Sequence, residues 1–333
     1  MARPSAGDGV TTEMKPWRSP PEFVAGDWGT THCRLFLCQA DGGVIDSVTG
    51  PGAADSRGRF ENIFESLRAP WRQRHGALPA ILCGMVGSSM GWIQAPYLPC
   101  PTRPEQIADA CVSPRDASVR IVPGLCCRNR FGAPDVLRGE ETQIMGALLN
   151  DPALRRGHHL LCLPGTHTKW VLLQEGAITE FLTAATGELF ALLRDHSVLV
   201  RDSPDAATAP DGESFAQGLA EFNRFPQAQL LHRLFECRAR RLSGELAPQA
   251  SAAFLSGLLI ASDVAGALQA FRQLMPTRPV QLVGSPELTG LYASALTSQG
   301  YASVQIEGAV ASIAGLLQTY RQLRDKAVMH AAH

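Results

Sequence analysis

An internal repeat of one local pattern constrains the fold of this chain more than any other feature. In each half, a short apolar strand is followed by a Gly-Thr turn, a second strand, a tight turn and a third strand. The predicted strands are residues 23–26, 32–39 and 44–49 in the first half, and 159–163, 169–174 and 177–182 in the second. A unit that occurs once in each half indicates two domains of related fold.

The chain length favours the same division. A chain of 333 residues fits two domains of about 150 residues each. The helix that ends near Asn150 marks the boundary, so we predict domains at residues 23–155 and 156–333. Strands alternate with helices over the rest of the chain, which predicts the α/β class. Residues 1–22 are predicted to be a disordered leader, and the last helix, 308–324, is expected to pack at the domain junction.

Composition excludes several classes of function. The formal net charge is −1 and the pI is about 6.8, so we expect no nucleic-acid partner. We also expect no membrane partner, because no apolar run looks long enough to cross a bilayer. The nine cysteines form no C-x-x-C pair and no zinc-finger spacing, which indicates free thiols in a reducing, cytoplasmic compartment. A small molecule is the expected partner, and the sequence indicates no particular oligomeric state.

The turn after the first strand of each half suits the binding of phosphate. The first turn is Asp27-Trp28-Gly29-Thr30-Thr31, with Arg34 close behind it, and the second is Gly165-Thr166-His167-Thr168-Lys169. Backbone N–H groups and hydroxyls bind phosphate oxygens, and a carboxylate after a buried strand can hold hydrated Mg²⁺. Either turn alone is also typical of an ordinary Asx or hairpin turn. One such turn in each half can grip a phosphate chain from both sides of a cleft.

Two adjacent glutamates, Glu140 and Glu141, stand at the start of the helix predicted over residues 139–149. Transfer of a phosphoryl group needs a carboxylate that takes or orients the proton of the acceptor hydroxyl. Negative charge is stabilised at a helix N-terminus, so such a glutamate stays ionised. Neighbouring helical positions point about 100° apart, so only one of the two is expected to face the cleft. Charge at a helix start is also a common structural feature, and both interpretations remain open.

Two glycine-containing segments supply the remaining candidates. Residues 84–91 form a Gly-rich stretch directly after the strand predicted at residues 80–83. Later in the chain, Gly284 and Ser285 end a strand just before a helix. A turn of this kind lets the backbone lie close to a planar base or ribose.

Taken in chain order, these motifs resemble those of a known superfamily. The two Gly-Thr turns and the Gly284-Ser285 turn are similar to the phosphate-1, phosphate-2 and adenosine motifs of the actin/hexokinase/Hsp70 superfamily. Segment 139–143 stands where carbohydrate kinases of that superfamily carry their catalytic carboxylate. The resemblance implies two ribonuclease-H-like domains with ATP and Mg²⁺ in an interdomain cleft.

A narrower resemblance covers the chain from about residue 23 to the last helix. Seven strings resemble the 2-dehydro-3-deoxygalactonokinase family: residues 27–31, 84–88, 91–97, 122–125, 138–143, 163–170 and 186–190. The resemblance implies ATP-dependent phosphorylation of 2-dehydro-3-deoxy-D-galactonate at its 6-hydroxyl, in galactonate catabolism.

The resemblance also implies a role for each candidate residue. Asp27 would hold Mg²⁺, and Glu140, or else Glu141, would be the catalytic base. The expected phosphate contacts are Gly29, Thr30, Thr31 and Arg34 from one side and Gly165, Thr166, Thr168 and Lys169 from the other. Gly284 and Ser285 would border adenosine. The expected sugar-acid contacts are Met85, Gly87, Ser88, Trp92, Tyr97 and Arg138.

Two departures from the family pattern leave one contact unassigned. His32-Cys33 stands where we expect an Asn-containing pair, and Ser89-Met90 where an Arg-Gln pair is common. Without that arginine, the carboxylate of the substrate has three candidate partners, Arg103, Arg138 and Lys169. A kinase of another sugar or sugar acid, a non-catalytic nucleotide-binding regulator and an actin-like filament protein remain alternatives.

Overall fold

The structure, a computed structural model, describes residues 19–200, 212–226, 229–274 and 278–331. The strands are β1 (Pro21–Trp28), β2 (His32–Gln39), β3 (Val44–Pro51), β4 (Ala80–Gly84), β5 (Tyr97–Pro99), β6 (Val119–Ile121), β7 (Gly124–Arg128), β8 (Pro134–Leu137), β9 (His158–Leu163), β10 (Thr168–Gln174), β11 (Ala177–Ala184), β12 (Val280–Gly284) and β13 (Ser303–Glu307). The α-helices are α1 (Phe60–His75), α2 (Pro104–Asp109), α3 (Glu140–Asn150), α4 (Thr186–His196), α5 (Gly212–Arg224), α6 (Leu230–Leu234), α7 (Glu236–Ser243), α8 (Ser251–Ala270), α9 (Pro286–Ser298) and α10 (Gly308–Ala331).

The repeat predicted from the sequence appears as two sheets of the same topology. Within the described residues, the strand orders are β3-β2-β1-β4-β6 and β11-β10-β9-β12-β13. In each sheet the first three strands are an antiparallel meander, and the next two run parallel to its first strand. The α/β prediction of two related domains with this superfamily's fold is therefore confirmed.

The two halves share a hydrophobic core at their junction. Buried apolar side chains of β1, β4 and α3 pack with those of β9, β10 and α10. The final helix leaves β13 and crosses back to the N-terminal half, where Tyr320 stacks on Phe23 with ring centroids 4.5 Å apart. Gly146 and Gly315 allow α3 and α10 to touch, since a Cβ at either would overlap the backbone of the other helix. We propose residues 23–155 and 156–333 as the two domains, joined by this core.

A small sheet that the sequence did not predict also connects the two halves, apart from the shared core. It has the order β5-β7-β8 in the described part of the chain, and β5 lies in the segment 96–104, whose prolines predict irregular structure. Asp135 on β8 accepts hydrogen bonds from the Thr183 N–H (2.9 Å) and hydroxyl (2.6 Å) on β11. Arg130 also pairs with Glu180 at 2.6 Å. These contacts hold the small sheet against the edge of the second large sheet.

Other boundaries differ from the predictions. Residues 19–22 are ordered, because the Glu22 carboxylate accepts hydrogen bonds from Tyr320 and Arg324, each at 2.9 Å; that part of the leader prediction was wrong. Residues 1–18 lie outside the described residues. The residue spacing over 228–241 predicts a single helix, whereas the structure has two, α6 and α7, that meet at Phe235. The spacing over 250–274 also predicts one helix, and in the structure α8 ends at Ala270.

Within the described ranges, one helical stretch, Pro248–Ala270, is long and apolar enough to cross a bilayer by length and composition, contrary to the expectation from the sequence. Most of it is buried inside the protein. Phe254, Leu258 and Val264 lie in the hydrophobic core of the second half, so its apolar character is explained by packing.

Candidate functional site

A cleft of about 440 Å³ lies between the two halves of the molecule, a volume typical of small-molecule sites. Both Gly-Thr turns reach it. Its lining also includes the start of α3, the ends of β4 and β9, and one residue of α10. The lining residues are Asp27, Gly29, Thr30, Gly84, Met85, Tyr97, Val136, Leu137, Arg138, Gly139, Glu140, Gln143, Leu163, Pro164, Gly165, Thr166, His167, Lys169 and Ser312.

The first loop, residues 29–32, joins β1 to β2. The carbonyl groups of Gly29 and Thr30 accept hydrogen bonds from the N–H groups of residues 53 and 54, at 2.9 and 3.1 Å. A Cβ at Gly52 would overlap the backbone of Thr30 and Thr31. The segment after β3 therefore holds the loop from behind, and only a residue without a side chain fits there.

Asp27 stands at the end of β1 and is paired in register with Cys83 and with Arg34. Burial raises the pKa of its carboxyl, and the nearby Glu140 charge raises it further. Arg34 opposes this shift with an ion pair at 3.3 Å. Gly84, at φ +90°, lets β4 pass close by, because a Cβ there would lie 2.7 Å from the Trp28 carbonyl oxygen.

Two residues predicted for the first loop lie outside the cavity lining. The exposed Thr31 shares a 3.0 Å hydrogen bond with the His32 ring. Arg34 is half exposed and reaches the cleft only through its ion pair with Asp27. Gly29 and Thr30 are therefore the first-loop residues with direct access to a ligand.

The second loop, residues 164–168, joins β9 to β10 and is held by the start of α4. The Glu188 N–H donates to the Thr166 carbonyl at 2.9 Å. A Cβ at Gly187 would overlap the Gly165 carbonyl and lie 2.9 Å from the Thr166 Cα. Gly187 thus occupies, behind the second loop, the role that Gly52 has behind the first.

The cleft also contains His167, which the sequence analysis did not single out. Its Nε2 lies 2.8 Å from a carboxylate oxygen of Glu188. The sequence signal that could have identified His167 is its position inside a turn of the phosphate-binding type. Thr168, in contrast, is buried and shares a 2.8 Å hydrogen bond with the Tyr292 hydroxyl, so it lies outside the cavity lining.

Of the two adjacent glutamates, Glu140 lines the cleft and Glu141 is buried, as the angle between helical neighbours predicts. One Glu140 oxygen lies 3.2 Å from Lys169 Nζ. The other accepts the Arg138 backbone N–H at 3.0 Å. Gly139, at φ +106°, provides the sharp turn into the helix.

The Glu141 carboxyl is satisfied inside the protein. It accepts hydrogen bonds from the Gly139 N–H at 2.6 Å and the Thr142 hydroxyl at 3.0 Å. Burial and the neighbouring Glu140 charge raise its pKa to about 8. Glu141 is therefore mainly protonated at neutral pH and has no access to a ligand in the cleft.

On the predicted sugar-acid side, Met85, Tyr97 and Arg138 line the cleft. Arg138 donates to the Ala95 carbonyl at 2.9 Å, and its guanidinium lies 4.3 Å from the centre of the Tyr97 ring. Its buried Nη1 has no hydrogen-bond partner among the described residues. A cation with an unused donor beside a cleft is suited to an anionic ligand group.

The other predicted sugar-acid contacts lie outside the lining. Trp92 packs against Phe64, with ring centroids 5.5 Å apart. Gly87 and Ser88 are buried, and the Ser88 hydroxyl accepts the Met90 N–H at 3.3 Å. This short segment shapes the protein behind Met85.

Of the three candidate partners for a substrate carboxylate, the geometry favours Arg138. The Arg103 guanidinium donates to the Glu175 carbonyl at 2.9 Å, away from the lining. Lys169 pairs with Glu140 and donates to the His167 carbonyl at 2.7 Å. Arg138 lines the cleft and forms no ion pair with a protein carboxylate among the described residues.

The adenosine candidates stand at the edge of the cavity. Ser285 caps α9 by accepting the Leu288 N–H at 3.4 Å. A Cβ at Gly284 would lie 3.7 Å from Pro164 of the second loop. Both are outside the lining, whereas Gln143 and Ser312, which the sequence did not suggest, are part of it.

The cleft fits a magnesium ion that a ligand helps to hold. No group of three or more possible metal-binding His, Cys, Asp or Glu side chains occurs within the described ranges. Mg²⁺ is usually bound by one or two protein carboxylates, completed by waters and substrate phosphates. Asp27 and Glu140 supply two carboxylates close enough for one charge to raise the pKa of the other.

The comparisons with known proteins agree on one family. The family model described as 2-keto-3-deoxy-galactonokinase matches residues 27–319. The chain is 37% identical over 307 residues to a probable 2-dehydro-3-deoxygalactonokinase of Rhizobium meliloti, covering 90% of this chain and 97% of that one. It is 33% identical over 295 residues to the 2-dehydro-3-deoxygalactonokinase of Escherichia coli, covering 88% and 96%.

A solved structure shares the whole fold. The crystal structure of a putative 2-dehydro-3-deoxygalactonokinase protein from Sinorhizobium meliloti superposes with a TM-score of 0.80 at 34% identity. The match covers 90% of this chain and 99% of that chain. The similarity thus extends over both halves and the cleft between them.

Proposed function

This chain belongs to the 2-keto-3-deoxy-galactonokinase family, and on that premise we propose that it phosphorylates 2-dehydro-3-deoxy-D-galactonate. The reaction transfers the γ-phosphoryl group of ATP to the 6-hydroxyl of the sugar acid and releases ADP. It is a step of galactonate catabolism. The nine cysteines are free, which favours a cytoplasmic location.

One observation carries the proposal. Two Gly-Thr loops, one from each half, line the same cleft as a carboxylate at a helix start. Phosphoryl transfer needs little covalent chemistry from the protein and depends on positioning and electrostatic stabilisation. Loops on both sides can hold a phosphate chain while the third element addresses the acceptor.

We assign the phosphate contacts to the loop residues with access to the cleft. Gly29 and Thr30 act from one side and Gly165 and Thr166 from the other. Lys169 reaches the cleft from the second loop. Thr31, Arg34 and Thr168 support the loops, since their side chains are engaged elsewhere.

Glu140 is the proposed base. Its carboxylate is oriented by Lys169 and by the Arg138 N–H, and the helix N-terminus favours its ionised form. It takes the proton of the acceptor hydroxyl as the oxygen attacks the γ-phosphorus. Mg²⁺, held through Asp27 and water, would neutralise charge on the transferred group.

Arg138 is the proposed partner of the substrate carboxylate. Its place in the lining beside Tyr97 gives the cleft a cation that a neutral sugar would leave unpaired. Such an unpaired group penalises the wrong ligand. Gly284 and Ser285 are proposed to border adenosine beyond Pro164.

The test is ADP release in the presence of a panel of acceptors, with and without Mg²⁺. We expect turnover with 2-dehydro-3-deoxy-D-galactonate and Mg²⁺, and NMR of the product should show phosphate on C6. Faster turnover with another 2-keto-3-deoxy acid or a free hexose would reassign the substrate. ATP binding without transfer to any acceptor would support the regulator instead.

Replacement of Arg138 by Leu tests the acid contact. We expect the KM for the sugar acid to rise by about 10-fold or more, because a charge-assisted hydrogen bond is lost, while the KM for ATP stays unchanged. Arg103→Leu is the matched control, an arginine that bonds a carbonyl outside the cleft. Equal effects of the two substitutions would contradict the assignment.

A further inference from the structure

We propose that Asp263, on α8, is a positioning residue for nucleotide binding, which acts by holding the second loop through Tyr292 and Thr186. The inference rests on the proposed function, because it takes the second loop as a phosphate contact. Asp263 lies outside the cleft lining and touches no ligand position directly.

Asp263 is the centre of a polar network in an otherwise apolar region. Among the described residues, its carboxylate accepts hydrogen bonds from Trp170 Nε1 (2.9 Å), the Thr186 hydroxyl (2.7 Å) and the Tyr292 hydroxyl (2.6 Å). These three donors come from β10, α4 and α9. An acidic residue on a mostly buried apolar helix is costly unless its hydrogen bonds are made, and here they are.

One branch of the network reaches the end of the second loop. The Tyr292 hydroxyl also lies 2.8 Å from the Thr168 hydroxyl. A tyrosine hydroxyl has a single hydrogen, and Tyr292 donates it to Asp263. Thr168 must therefore donate its own hydrogen to Tyr292, which fixes the direction of this chain of bonds.

The other branch reaches the start of the loop. Thr186 binds Asp263, and the next residue, Gly187, packs directly against the Gly165 carbonyl. Glu188 then donates its N–H to the Thr166 carbonyl. Both ends of the loop are thus tied to one carboxylate, and the loop backbone is held in shape before a nucleotide arrives.

The fold alone does not require this arrangement. The strand pairing makes Arg34 on β2 the counterpart of Trp170 on β10. Each is one residue beyond the pair of residues that closes its loop. For Arg34 the partner is Asp27, which belongs to the site itself. The network therefore distinguishes the second loop from the first.

The test compares two Tyr→Phe variants that each delete a hydroxyl bonded to a carboxylate. Tyr292→Phe breaks the link between Asp263 and Thr168. Tyr320→Phe removes the 2.9 Å bond to Glu22 on β1, in the first half. We expect Tyr292→Phe to weaken ATP binding about 5- to 10-fold and to leave the KM for the sugar acid unchanged. Tyr320→Phe should alter neither.

A second pair of variants keeps the test independent of folding. Thr168→Val should weaken ATP binding to the same extent as Tyr292→Phe, whereas Thr168→Ser, which retains the hydroxyl, should restore it. The double variant Thr168→Val/Tyr292→Phe should be no worse than either single one, because both break the same chain of bonds.

ATP binding is measured by calorimetry without the acid, so the two proposals fail in different ways. If the unmodified protein does not bind ATP, the proposed function is wrong and this inference with it. If it binds ATP and Tyr292→Phe or Thr168→Val binds equally well, the network serves stability alone and only this inference is overturned.

Discussion

The two Gly-Thr loops have the same backbone plan and different side chains behind them. Each follows the first strand of a meander, and each is held by a glycine whose Cβ would overlap the loop backbone, Gly52 or Gly187. Behind the first loop, Asp27 faces the cleft and pairs with Arg34. Behind the second, Trp170 is fully buried and bonds Asp263. The repeated meander thus gives two similar loops, and the side chains behind them place Asp27, the proposed magnesium ligand, beside the first loop.

The halves also differ in how each satisfies a carboxyl that is withdrawn from solvent. Glu141, in the first half, accepts a backbone N–H and the hydroxyl of its neighbour. Asp263, in the second, accepts donors from three separate elements. Burial raises the pKa of both groups. A carboxyl with local donors serves its own helix start, whereas one with distant donors ties a loop to the surrounding protein.

The largest expected effect concerns Asp27, the proposed magnesium ligand beside the first loop. Asp27→Asn should lower kcat by about 10³-fold, because the side chain keeps its size and loses the charge that attracts the cation. Circular dichroism should show an unchanged fold. Glu61→Gln, which replaces an exposed carboxylate on α1, is the control and should keep full activity. A fully active Asp27→Asn enzyme would remove the chemical difference between the loops.

Gly52→Ala and Gly187→Ala test the feature that the loops share. Either added methyl group must displace the loop backbone that it overlaps, and a shift of about 1 Å can cost 100-fold in rate. We expect kcat/KM to fall by about that factor in both variants. A large effect in one variant and none in the other would show that a single loop positions the phosphates.

Glu141→Gln should change the pH dependence of stability. The folded pKa of about 8 lies above the ordinary glutamate value of 4.5, so this carboxyl contributes stability below about pH 4.5 that is lost as the pH rises through about 8. The variant cannot ionise, and its amide can bond Gly139 and Thr142. At pH 9 its free energy of unfolding, as measured in urea, should exceed that of the unmodified protein by up to about 5 kcal/mol.

The corresponding control is again Glu61→Gln, whose exposed side chain should leave the pH profile unchanged. A Glu141→Gln variant whose stability falls with pH as steeply as that of the unmodified protein would show that another group is responsible.

The smallest effect concerns glycines with no role at either loop. Gly266 on α8 and Gly290 on α9 have open space where a Cβ would stand. Replacement by Ala should raise the free energy of unfolding by about 0.5–1 kcal/mol each, because Ala has the higher helix propensity, with kcat unchanged. Loss of stability in thermal or urea unfolding would mean that these sites are more crowded than they look.

The sequence by itself determined the repeated meander, the two Gly-Thr turns and the helix that begins at Glu140. Those features depend on local patterns: apolar runs, turn residues and the angle between helical neighbours. Local pattern also predicted that Glu140 and Glu141 would face different ways. Local pattern does not separate short helices that adjoin, such as the two that meet at Phe235.

Only the tertiary structure decided which of these residues meet. The three-residue strand β5 lies in a proline-rich segment and carries too little pattern to be predicted. Gln143 and Ser312 enter the cleft because α10 returns to α3, and Arg138 differs from Arg103 in that it lines the cleft. In the sequence, Asp263 is the single charged residue of an apolar helix, and only the packing of β10, α4 and α9 brings three donors to it. Contacts between residues far apart in the chain depend on how whole elements pack, and no local pattern encodes that.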